Sequence, residues 1–289
     1  MVPTFALLAL AVLALWLGGG AAAPAWRRNL WLLLFAASLA VGWGAGVVRP
    51  VGLVWVAALA VAVLTLVRPA SPGWTKGAAR VVILALAAGL MFHRLPGFNN
   101  PRVIAAVRLS ADAIPYTLYL NFDKTLLGLC LLGWGHARIS RREEWRAMLA
   151  AAAPWAAGLV AVILMLSLAA GYVRFDPKLP AETGLWLAVN LGFTCLAEEA
   201  LFRGFVQEQL QQAWAQWRGG PALALGVAAV LFGLAHAAGG AAYVALATIA
   251  GLGYGWIYQR TRRIEASLLT HFGLNAVHFF CFTYPALQR

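Results

Sequence analysis

The chain has 289 residues, of which 62% are hydrophobic and only 11% charged, and its mean hydropathy is +0.77. Soluble globular domains are about 45–50% apolar and 25% charged, so that class is excluded and a polytopic membrane protein is expected. The net charge of +12 does not point to nucleic acid: the basic residues sit mostly in short loops between apolar runs, and no contiguous basic face or binding motif is present.

Residues 4–20 form the first apolar run. The Ala-Ala-Ala-Pro-Ala that follows faintly resembles a signal-peptide cleavage site, but such a peptide carries its positive charge before the apolar core, and Arg27 and Arg28 come after it. An uncleaved first span with its N-terminus outside is expected. Further spans read at about 30–47, 51–67, 79–92, 124–136, 147–171, 185–206, 222–239, 241–258 and 266–285. The fold class is therefore all-α, a polytopic transmembrane helical bundle of about 8–10 spans. The run 124–136 is shorter than the roughly 20 residues a bilayer needs.

Basic residues set the orientation. Loops after the odd-numbered spans hold 13 Lys and Arg against 8 on the other side, which makes the first side cytoplasmic and both termini non-cytoplasmic. Trp26, Trp43, Trp74, Trp145, Trp186, Trp214 and Trp217 lie near span ends, where interfacial anchors belong. Residues 1–145 read as N-terminal transmembrane helices and 146–289 as a separate helical core. Within the first part, the prolines and asparagines of 93–123 break the apolar pattern and suggest a re-entrant or interfacial segment, an ordered connector or a gate. Residues 207–219 mix Gln207, Glu208, Gln211 and Gln212 with Leu210, Trp214 and Trp217, as an amphipathic stretch at the interface does.

Cys130, Cys195 and Cys281 show no disulfide or metal spacing and read as small buried hydrophobes. Cys195 lies one turn before Glu199, but no basic residue within a turn activates it as a nucleophile. Gly251 and Gly255 form a G-x-x-x-G face for close helix packing; a phosphate loop would need a preceding strand and a following lysine.

Charge inside the apolar runs is rare. Among the ten acidic residues, only Glu198 and Glu199 fall within one, and Arg203 follows them. An ionisable group at membrane depth costs at least about 2.5–3.5 kcal/mol on insertion scales, which makes these functional candidates. On an α-helix Glu199 and Arg203 stand one turn apart and can pair, while Glu198 points about 100° away. Asn190, Thr194 and Glu198 recur every four residues as a second polar stripe. Two acids side by side in a low dielectric repel; Arg203 offsets one charge, leaving the other carboxylate able to share a proton with His236 or water.

Two further spans hold matching groups: Phe232-Gly-Leu-Ala-His236, and His271, Asn275 and His278 on one helical face. Each histidine alone reads as a buried ring satisfied by a neighbouring helix. Together, carboxylate, imidazole and amide on three helices are the groups that activate water. Span midpoints put His236 and His271 about 15 Å apart along the membrane normal, a gap that helix tilt or a break near Gly239-Gly240 must close.

Glu198-Glu199-Ala-Leu-Phe-Arg203, Phe232-x-x-x-His236 and His271-x-x-x-Asn275 together resemble the three-motif pattern of the CPBP family, which includes the type II CAAX prenyl endopeptidases and bacteriocin-processing membrane proteins. The resemblance covers roughly 185–285 and implies an intramembrane endopeptidase, with 146–289 as its catalytic core. By carry-over, Glu198 and His236 activate water, Glu199 and Arg203 shape the site, and His271 and Asn275 stabilise the oxyanion. His278 lies outside the motif and has a supporting role. If a divalent metal such as Zn²⁺ is used, Glu198, His236 and His271 are its ligands, although no H-E-x-x-H strengthens that reading. Other protease designs lack their residues: Asp112, Asp123 and Asp176 all lie in loops, and no Gly-Ser context is paired with a histidine. The implied partners are the lipid bilayer and a membrane protein or peptide substrate, with no nucleic acid. The alanine-rich composition fits a multi-pass protein of a bacterial inner membrane, for which the natural substrate is open. Two alternatives are a proton- or ion-coupled transporter, against which stands the lack of an internal repeat, and a non-catalytic immunity or scaffold member of the same fold.

Overall fold

The computed structural model describes residues 1–18 and 23–288. Gly19 to Ala22, which hold the end of the first apolar run and the start of the cleavage-like stretch, lie outside the described residues, as does Arg289. Every expected span has a helix: α1 (Val2–Leu17), α2 (Leu30–Gly44), α3 (Pro50–Val67), α4 (Gly73–Met91), α5 (Phe122–Gly135), α6 (Arg142–Ala169), α7 (Thr183–Ala213), α8 (Gly220–Leu234), α9 (Ala241–Thr261) and α10 (Ile264–Cys281). Prolines open α1, α3 and α8, where the missing N–H has no partner to lose. Among the described residues, α3, α4, α6, α7 and α9 are long and apolar enough to cross a membrane, and α1, α2 and α8 are shorter apolar helices.

Two compact units alternate along the chain. The first holds Met1–Pro101, Leu120–Arg141 and Gly192–Leu201; the second holds Arg102–Tyr119, Arg142–Leu191 and Phe202–Arg289. One switch, at Arg141/Arg142, falls near the boundary expected after 145, but residues 102–119 and 192–201 belong to the opposite unit from their sequence neighbours.

In the first unit, α1 packs on α2, and α5 meets α1, α3 and α4. The short run 124–136 forms a buried helix: Leu126, Leu127, Leu129 and Cys130 are fully covered. Gly128 lets residues 192–201 approach closely, since a Cβ there would stand 2.8 Å from the Ala197 Cα. Asp123, which the sequence leaves in a loop, opens α5 and is 2% exposed. It accepts from the Nδ1–H of His93 at 2.6 Å, from the Asn100 amide at 2.9 Å and from the Lys124 N–H at 2.9 Å. The Asn100 Oδ1 in turn accepts from the Phe122 N–H. Asp123→Ala strands those donors and is expected to cost about 1–3 kcal/mol, read as a lower thermal midpoint in detergent.

The second unit is built on α8 and α9 packed side by side, with α6 and α10 against α9. The segment 93–123, expected to be re-entrant or interfacial, contains an antiparallel hairpin, β1 (Arg102–Val107) and β2 (Tyr116–Tyr119). Val103, Ile104, Val107, Tyr116, Thr117 and Tyr119 supply the β-branched and aromatic residues a strand favours, and Pro101 and Pro115 each stand just before a strand. Tyr116 packs on Tyr284 at 5.2 Å, and burial pushes its phenol up to about 12, so it stays protonated.

Residues 207–219 depart from the amphipathic expectation. Gln207 is fully covered and Gln211 is 8% exposed. Gln207 donates to the Gly255 carbonyl at 3.0 Å, and Arg262 donates to Gln211 at 2.8 Å and to Glu208 at 3.1 Å. These polar groups face the end of α9, where each glutamine amide makes one of its bonds, while the Gln207 Oε1 and the Gln211 Nε2 stay buried without a partner among the described residues. The helix contact itself depends on small residues, as the G-x-x-x-G face implies: a Cβ on Gly251 would lie 3.2 Å from the Ala229 Cα. Gly233 is tighter still, since its Cβ would meet the Val244 carbonyl oxygen at 2.8 Å and the Thr248 hydroxyl closer than that. Gly233→Ala is expected to destabilise by about 1–3 kcal/mol. Adding Thr248→Ala should recover only part of the thermal midpoint, because a helix carbonyl cannot move aside as a side chain can.

Candidate active site

α7 carries the acidic motif, and its backbone is not a plain α-helix. Asn190–Cys195 and Ala200–Gln207 are π segments, flanking one α turn, Leu196–Glu199. The even four-residue spacing that lines up Asn190, Thr194 and Glu198 on an ideal helix therefore runs through a π segment, and the stripe does not hold as drawn. Arg203 likewise sits in π backbone. Such bulges are rare and concentrate at functional sites. Within the first unit Glu198 is 7% exposed and Glu199 fully buried.

Arg203 belongs to the second unit and is completely covered. Its Nη2 donates to the Gly251 carbonyl at 3.0 Å. Its guanidinium carbon lies 4.4 Å from the centre of the Phe232 ring and 5.2 Å from that of Tyr254. A planar, weakly hydrated cation suits such a place, where a lysine ammonium would not.

The same two rings meet the histidines. Tyr254 stacks on His271 at 4.6 Å and 17°, and Phe232 presents an edge to His271 at 5.6 Å and lies 4.7 Å from His236. The aromatic pair thus touches Arg203 as well as both imidazoles.

His236 corrects the sequence reading. It does not lie within a membrane helix, because α8 stops at Leu234 and a short 3₁₀ turn, Ala237–Gly239, follows. Gly240, with φ +85, takes a conformation open to glycine and ends the helix path. The break brings His236 to the cavity that His271 lines, closing the gap that span midpoints imply. The His236 Nδ1 lies 2.7 Å from the Phe232 carbonyl oxygen. A carbonyl only accepts, so Nδ1 carries the hydrogen and, in the neutral ring, Nε2 carries the lone pair.

His236, His271, Asn275 and His278 line one cavity of about 80 Å³, walled on its apolar side by Ile163, Leu164, Leu246, Ala247 and Ala250. That is room for a few ordered waters at roughly 30 Å³ each. His271 is 4% exposed. Asn275 donates its amide to the Asn190 Oδ1 at 3.2 Å, and His278 lies 3.1 Å from the Thr283 carbonyl through Nε2. The structure therefore joins His236, His271 and Asn275 around one small polar chamber, with Arg203 behind its aromatic wall; Glu198 and Glu199 belong to the first unit. Sequence reasoning missed Tyr243 and Tyr254. They stand eleven residues apart, close to three full turns of α9, and that spacing is the signal that could have found them. Tyr243 meets His236 edge-on at 5.2 Å.

Among the described residues, no group of three or more His, Cys, Asp or Glu side chains is arranged to hold a metal ion.

Residues 180–277 match the family described as type II CAAX prenyl endopeptidase, Rce1-like. The match spans about a third of the chain and contains all three motifs. The long apolar helices mark an integral membrane protein. No curated protein and no solved structure matches it.

Proposed function

We propose that the protein hydrolyses a peptide bond of a membrane-associated protein or peptide with a water activated by Glu198 and His236. Glu198 takes a proton from the water as the oxygen attacks the carbonyl carbon. His236, whose Nε2 holds the lone pair, shares that proton and passes it to the leaving amine. His271 and Asn275 donate to the developing oxyanion, where each donor contributes about 2.7–4 kcal/mol in measured cases. Glu199 and Arg203 hold the frame. The observation that carries this reading is the chamber joining His236, His271 and Asn275, lined by residues of two of the family motifs.

The test is reconstitution in liposomes with candidate membrane-anchored peptides, followed by mass spectrometry of the products. Cleavage that disappears in His236→Ala supports the reading, and cleavage that survives it removes His236 from the reaction. A chelator arm addresses the cofactor: loss of activity restored by added Zn²⁺ would replace the metal-independent scheme. A proton gradient that drives solute uptake with no peptide product would favour the transporter instead.

A further inference from the structure

The first unit holds a second cavity away from any motif, a groove of about 650 Å³ between α3 and α4. Its walls are almost wholly apolar: Val54, Ala58, Val61 and Ala62 on one helix, Ala78 and Val82 on the other. Along α3 it runs from Val54 to Thr65, a length of about 16 Å at 1.5 Å per residue. One leaflet of a bilayer has a hydrocarbon depth of about 15 Å, half of the roughly 30 Å core. The groove thus has the length of a single acyl chain in one leaflet.

Charge marks the end at which a headgroup would sit. The turn joining the two helices and the first turns of α4 carry Arg68, Lys76 and Arg80 with no acidic residue among them. Arg68 caps α3 with extended backbone, and Lys76 reaches back to the Pro69 carbonyl at 3.4 Å, which holds its ammonium at the turn. Trp74 is 78% exposed at the same end, as an interfacial anchor is. These basic residues belong to the loops that the positive-inside pattern makes cytoplasmic, the leaflet face rich in anionic lipid. Basic pockets between membrane helices on that side bind anionic headgroups.

We infer that the α3–α4 groove is a binding site for an anionic phospholipid, with an acyl chain between the helices and its phosphate against Arg68 and Lys76 at the turn. A second copy of this chain is the poorer occupant, because it would bring a like-charged rim to the same place.

The test places the purified protein in nanodiscs with equal phosphatidylglycerol and phosphatidylcholine, then measures the retained lipid by native mass spectrometry. Wild type is expected to retain phosphatidylglycerol about tenfold over phosphatidylcholine, the scale of one or two basic residues at a headgroup. Arg68→Gln/Lys76→Gln should bring the ratio to that of the bilayer. Ala58→Leu, which fills the groove and leaves the charges, should lower retention of both lipids, so the idea stays testable even if the double charge variant does not fold. Equal retention in wild type would reduce the groove to ordinary annular lipid and overturn the proposal. So would a dimer that Ala58→Leu dissociates, which would give the groove to a second copy.

Discussion

Glu198→Gln is expected to lower the cleavage rate by about 10²–10⁴-fold, the range a general base contributes, while the protein still folds. Gln keeps the shape and the hydrogen-bonding oxygen of Glu198, which is 7% exposed, and removes only the ability to take a proton. The measurement is the initial rate on the reconstituted enzyme, with the thermal midpoint followed in parallel. Glu198→Gln/His236→Ala should be scarcely slower than the worse single variant, because groups acting as one unit are not additive. A rate within tenfold of wild type for Glu198→Gln would end the assignment of that carboxylate as the base. Loss of rate together with loss of fold would assign Glu198 to structure only.

Arg203→Ala is the substitution expected to cost the most stability. It removes a fully buried side chain, the hydrogen bond to the Gly251 carbonyl and the ring contacts with Phe232 and Tyr254. Emptying a site of that size in a packed interior costs of order 3 kcal/mol before the lost hydrogen bond is added. Arg203→Lys should recover part of the loss and not all of it, since an ammonium has neither the plane nor the weak hydration that suits two aromatic faces. Thermal unfolding in detergent ranks the three proteins. Because the same rings touch His271 and His236, activity should fall in Arg203→Lys by more than its stability alone accounts for.

The helices were legible because membrane spans obey one strong constraint: every backbone polar group must be satisfied within the segment, so long apolar runs mean helices. That is why each expected span holds a helix, and why the G-x-x-x-G face of α9 reads correctly as a packing surface. The hairpin was not legible, because its alternating pattern is short and sits among prolines and asparagines that signal loops equally well. Burial of acids was only half legible. Hydropathy singles out Glu198 and Glu199, yet Asp123 and Glu265 are 2% and 1% exposed. Those two open helices beside loops, where a local window sees polar neighbours and cannot see the partners that fold over them.

Within the site, spacing identified His271 and Asn275, and the Gly239-Gly240 pair announced the break. What spacing cannot supply is the direction of His236, which follows from one hydrogen bond to a carbonyl four residues earlier.

The π backbone of α7 has a consequence of its own, which concerns phase. An ordinary helix extrapolated from Thr183 predicts where each later side chain points, and each π segment breaks that extrapolation, as an inserted residue would. Deleting one residue from either segment should restore regular winding there and turn Glu198 and Glu199 by about 100° relative to the helix on that side. The angular setting of the two acids is therefore held by two backbone insertions, one before and one after them, and not by the identity of the acids alone.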